Sequence, residues 1–74
     1  MYERRIKLNA ASDVRDFVQA AERCTYDVDV FYNRFIIDAK SLMGVLSLDL
    51  NKVLTVHYNE ADEAFGKVLD RFTV

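Results

Sequence analysis

The chain has 74 residues, with ten Lys+Arg against twelve Asp+Glu and a formal net charge of −2. That length predicts one small domain, residues 1–74, which buries only roughly 60% of its unfolded surface and has little material for a lidded catalytic cleft. Hydrophobic residues are 51% of the chain, too many for disorder, and the slight acidic excess lacks the clustered basic face of a nucleic-acid binder.

Residues 2–8 alternate, with Arg4, Ile6 and Leu8 on one face and Glu3, Arg5 and Lys7 on the other. A period of two predicts a half-buried strand. Residues 12–23 carry Val14, Phe17, Val18 and Ala21, the stripe of an amphipathic helix, with Ser12 as its expected N-cap. Alternation returns at 26–32, where Tyr26, Val28, Val30 and Tyr32 oppose Asp27, Asp29 and Phe31. Asn33-Arg34 reads as a two-residue hairpin turn, because Asn tolerates positive φ. The returning strand, 35–39, is expected to point Phe35, Ile37 and Ala39 inward.

A short helix is predicted over 41–48, capped by Ser41, with Leu42, Val45, Leu46 and Leu48 apolar. Residues 53–58 form the fourth strand, with Leu54, Val56 and Tyr58 toward the core. In the last helix Asn59 is the expected cap and Asp62 the capping-box acid. Its stripe is Ala61, Ala64, Phe65, Val68, Leu69 and Phe72, and Glu63 and Lys67 form an i, i+4 pair. The order is therefore βαββαβα, an α+β chain. One polar face per strand predicts an antiparallel sheet with three helices on one side, an open-faced two-layer sandwich.

No apolar run approaches the ~20 residues that span a bilayer, so no membrane is expected among the partners. The first residues, Met1-Tyr2-Glu3-Arg4-Arg5-Ile6, lack the apolar stretch of a signal peptide, and the single Cys24 has no internal disulfide partner. The expectation is a cytoplasmic protein. Cys24 reads as a buried, inert thiol, with no zinc or Cys-x-x-Cys spacing around it. No Gly-rich phosphate loop is present, and neither a cofactor nor a metal is expected.

The run Ile37-Asp38-Ala39-Lys40-Ser41-Leu42-Met43-Gly44-Val45-Leu46-Ser47-Leu48 closely resembles the central segment of HPr, the bacterial phosphocarrier of the sugar phosphotransferase system. The element order is similar to HPr over nearly the whole chain, and the resemblance implies strand order 1-4-2-3. It also implies two sites. One is a His at the start of the first helix, in a His-x-Arg-Pro context, which takes phosphate from enzyme I. The other is a regulatory Ser at the start of the second helix, which a kinase phosphorylates in some bacteria.

Counting back from Phe17-Val18 sets the family's His near Ala10, its Arg near Ser12 and its Pro near Asp13. No His occurs before His57, so this chain departs from HPr at its transfer site. Asp13 and Asp16 in the first helix would oppose a phosphate, and Arg15 is one compensating charge. The regulatory site is kept. Ser41 matches the Ser, with Lys40 before it and Leu42-Met43-Gly44 after it.

Ser41 is thus expected to be the helix cap and also a phosphorylation site. Leu42, Met43 and Leu46 either face the sheet or form a docking patch, as the matching HPr positions do. Val45, Leu48 and Leu50 can supply the sheet contact instead, which leaves the trio as the expected partner-binding residues. His57 is expected on the open face beside Thr55 and Val53, in solvent. Across the hairpin Asp29 pairs with Asp38, balanced by Arg5, Lys7 or His57, and Phe31 pairs with Ile36 as an apolar spot for a weak homodimer.

The functional expectation is an HPr-like, non-enzymatic regulatory or adaptor protein without a catalytic residue. Its implied partners are phosphotransferase-system enzymes, an HPr kinase or a transcriptional regulator. Two alternatives stand beside it: a working phosphocarrier using another nucleophile such as His57, and a plain interaction module with no phosphorylation.

Overall fold

The computed structural model describes all residues, Met1–Val74. Its elements are β1 (Tyr2–Ile6), α1 (Ala11–Glu22), β2 (Val28–Tyr32), β3 (Phe35–Asp38), α2 (Leu42–Leu46), β4 (Leu54–Tyr58) and α3 (Glu63–Asp70). The strands form one sheet in the order β1-β4-β2-β3, every neighbouring pair antiparallel. The expected α+β open sandwich and its strand order are therefore observed.

Alternation in the strands assigns the two faces. Ile6, Val28, Val30, Leu54, Val56 and Tyr58 are buried and meet Val14, Phe17, Val18, Val45, Phe65 and Leu69 of the helices. None of Glu3, Arg5, Asp29, Phe31, Ile36, Asp38, Thr55 and His57 is buried, so the other face is open. No polar side chain is buried. Each of the large core side chains contributes about 1.5–3 kcal/mol by leaving water, and together they hold the small domain.

The hairpin turn stands where expected: Asn33 is the one non-glycine residue with positive φ, at 53°. Its register sets Asp29 opposite Asp38 and Phe31 opposite Ile36, also as read from the sequence.

The differences are local. β1 stops at Ile6, two residues early; beyond it the Lys7 N–H donates to the Phe72 carbonyl at 2.9 Å, and Leu8 is still buried. β2 and β3 are shorter than the alternation implied. Phe35 points to the helical side yet is 56% exposed, because it starts an edge strand at the rim of the helical layer. Ser12 does not cap α1. The cap position is Ala10, with no side-chain bond, and Asp13 reaches back to accept the Asn9 N–H at 3.0 Å. That bond ties the residue before the cap to the first turn of the helix. Asn59 does not cap α3 either. Asp62 does, with its Oδ1 accepting the Phe65 N–H at 3.0 Å, so Ala61 precedes the helix and is exposed, as is Ala64.

Candidate functional site

α2 is one and a half turns, too short to stand alone, and its first turn is tied to β3. Ser41 Oγ accepts the Gly44 N–H at 3.1 Å, and Asp38 Oδ1 accepts the Lys40 N–H at 2.9 Å. Val45 is fully buried, and Leu48 and Leu50 pack against the core. The sheet contact is thus satisfied without the other apolar residues. Leu42 and Leu46 are each 42% exposed and Met43 78% exposed. Ser41 is exposed in the same turn.

Gly44 makes this turn possible. A Cβ there would stand 2.8 Å from Ile37 Cγ2 and 3.0 Å from Ser41 Oγ. The backbone of α2 lies against β3 at a distance only glycine permits.

The start of α1 carries no imidazole. Asn9, Ala10, Ala11 and Ser12 are exposed, and Asp13 and Asp16 are half-buried. Arg71 reaches Asp16 at 3.4 Å from beyond the end of α3. The Arg71 guanidinium is therefore already matched to a carboxylate, while Arg15 is exposed and makes no ion pair.

His57 is on the open face, as expected, but it is not simply solvated. Its Nε2 is 2.9 Å from Glu3 Oε1, and its ring lies 4.3 Å from the Phe31 ring. The side chain is 24% exposed. Asp29 stands opposite both His57 and Asp38, yet neither Asp29 nor Asp38 makes an ion pair. The balance expected from Arg5, Lys7 or His57 is not made by direct contact, because Glu3 takes the imidazole from the other side.

A polar cluster that the sequence reading missed joins three segments, the α1–β2 loop, the β3–α2 loop and the start of α3. Tyr26 Oη donates to Asp62 Oδ2 at 2.9 Å, and the Cys24 thiol lies 3.9 Å from the same oxygen. Cys24 is 7% exposed and its thiol also faces the Ala20 carbonyl at 3.5 Å. Lys40 Nζ donates to the Cys24 carbonyl at 2.9 Å. Burial, with the Cys24 and Asp62 neighbours, pushes the Tyr26 hydroxyl well above the ordinary tyrosine value. The Phe65 N–H, then the Tyr26 hydroxyl, hold Asp62 below the usual carboxylate range. The only sequence signal was a Tyr at the start of an alternation beside a lone Cys. The Asp partner is 36 residues away in the chain and invisible to local spacing.

No group of three or more His, Cys, Asp or Glu side chains is arranged to hold a metal ion. No helix is long and apolar enough to cross a membrane.

Against known proteins, no family model matches this chain, and no curated protein matches it. A solved structure does. The phosphocarrier protein HPr from Bacillus anthracis strain Ames superposes with a TM-score of 0.66 at 22% identity, over 97% of this chain and 96% of that one. At that identity the likeness is one of fold. It extends over both chains nearly end to end, which agrees with the element order and the strand order above.

Proposed function

We propose that residues 1–74 act as one HPr-like domain, a cytoplasmic, non-enzymatic regulatory or adaptor protein related to the sugar phosphotransferase system. It docks protein partners through Leu42, Met43 and Leu46 and is switched by phosphorylation at Ser41. One observation carries this reading: an exposed hydroxyl sits in the same turn as three apolar side chains that the core does not need. A phosphate on Ser41 would add roughly −2 of charge beside that patch and change what can dock there. The implied partners are phosphotransferase-system enzymes, an HPr kinase or a transcriptional regulator. The single imidazole argues against phosphoryl transfer, because His57 is on the open face, bonded to Glu3, away from the helical side that carries α2.

Incubation with an HPr kinase and ATP, followed by intact mass, tests the switch. One added phosphate is expected, absent from Ser41→Ala; an unlabelled chain beside a labelled control HPr overturns it. Incubation with enzyme I and phosphoenolpyruvate is expected to leave the chain unlabelled, and acid-labile phosphate on any residue would restore the carrier reading. Partner capture is expected to fail with Leu46→Asp; capture unchanged by that substitution moves the docking surface elsewhere.

A further inference from the structure

The sheet ends at two edges, β1 and β3. The β1 edge is partly covered by the chain itself: Ile6 bridges Thr73, and the Val74 N–H donates to the Arg5 carbonyl at 3.1 Å. β3 has no such cover, and its Phe35 and Ile36 are 56% and 61% exposed. The Ala39 N–H donates to the Val28 carbonyl at 2.9 Å, toward β2. By the two-residue alternation of an antiparallel ladder, Ile37 and Phe35 also turn their backbone groups to β2, and Ile36 turns its N–H and C=O outward. An open edge of this kind is a template for another strand.

We propose that this edge binds the β3 edge of a second copy of the chain, antiparallel about a two-fold axis normal to the sheet, with Ile36 opposite its own copy. Such an axis keeps each face with its like face, so one residue must lie opposite itself. Charge decides which. Centring on Ile37 sets Arg34 against Lys40, and centring on Asp38 sets two carboxylates together. Centring on Phe35 runs the strand into the other copy's hairpin and leaves Asp38 unmatched. Centring on Ile36 sets Arg34 opposite Asp38 at both ends. Both residues are exposed, and neither is ion-paired within the chain. The same register lets the two Ile36 residues exchange their outward N–H and C=O groups.

On the helical side that register brings Phe35 opposite the second copy's Ile37, beside an apolar groove of about 320 Å³ that Ile37 and Leu48 help to line. Both helical layers stay on one side of a continuous eight-stranded sheet. A four-residue edge buries less than the ~1,200 Å² of a stable interface, so the dimer is weak and concentration-dependent.

Sedimentation equilibrium of the full chain, from micromolar to millimolar, tests this. A monomer–dimer equilibrium is expected. Ile36→Lys should abolish it, and Arg34→Glu should raise the dissociation constant about tenfold through two lost, now repulsive, pairs. Combining Arg34→Glu with Asp38→Arg should recover much of the loss, with circular dichroism confirming that each variant is folded. A chain that stays monomeric at millimolar concentration overturns the proposal. So does a dimer that survives Ile36→Lys, a charge swap that recovers nothing, or a dimer lost in Leu46→Asp, which would place the contact on α2.

Discussion

Ser41 and Gly44 show how much one turn of backbone depends on two small residues. Ser41→Ala removes the acceptor for the Gly44 N–H and is expected to cost about 1 kcal/mol, as helix caps do. In a domain of this size that lowers the melting temperature by about 4–8 °C, readable by calorimetry. Gly44→Ala should cost more, about 1–3 kcal/mol, because the new Cβ meets Ile37 Cγ2, a methyl on a β-branched side chain with little freedom to turn away. Urea denaturation of the double variant Gly44→Ala with Ile37→Ala checks the cause. The pair should be less destabilised than the two single losses added together. Strict additivity would place the strain elsewhere. Ser41 was legible as a cap because the side-chain type and its offset to the next amide are local; the exposure of Leu42, Met43 and Leu46 depended on which neighbours filled the core first.

At the scale of elements, the start of α3 holds a pH dependence of both signs. Asp62 is held low by the Phe65 N–H and then by Tyr26, so its contribution is present above the ordinary carboxylate value of about 4 and is lost as pH falls through the folded value. Wild type should therefore lose melting temperature on acidification more steeply than Asp62→Asn, which keeps a cap oxygen but no charge. Equal slopes would remove Asp62 from the account. Tyr26 runs the other way. Its hydroxyl is raised, so the stability it lends is present below about pH 10, the ordinary tyrosine value, and declines above it as the unfolded chain ionises first. Tyr26→Phe should flatten that alkaline decline in thermal melts. The shift of the cap from Asn59 to Asp62 has the same origin: Tyr26 comes from the chain before β2 and anchors the Asp62 carboxylate at the helix start.

For the whole molecule, the ledger is small and uneven. A domain of 74 residues has only roughly 4–11 kcal/mol of net stability. Phe17 is fully buried with its ring 6.4 Å from that of Phe65, and Phe17→Ala should cost about 3–5 kcal/mol. That is enough to remove most of the cooperative transition in calorimetry. Leu46→Asp, on a side chain already 42% in water, should stay within about 0.5–1 kcal/mol of wild type, so any lost partner binding is separable from unfolding. A large destabilisation by Leu46→Asp would make α2 part of the core instead of a surface. The distinction matters because an HPr-like fold does not by itself require a docking site on α2.

The linear sequence by itself determined the number, kind and order of the elements, the hairpin register and the apolar faces of the strands. These follow from periodicity, turn chemistry and charge placement within a few residues of each other. It also excluded an imidazole at the start of α1, since the only His is His57. Tertiary packing alone decided that Glu3 takes His57, that Tyr26 and Cys24 meet Asp62, and that Gly44 must lie against Ile37. Each of those depends on residues far apart in the chain meeting in three dimensions, and only the closing of the sheet under its helices sets those distances.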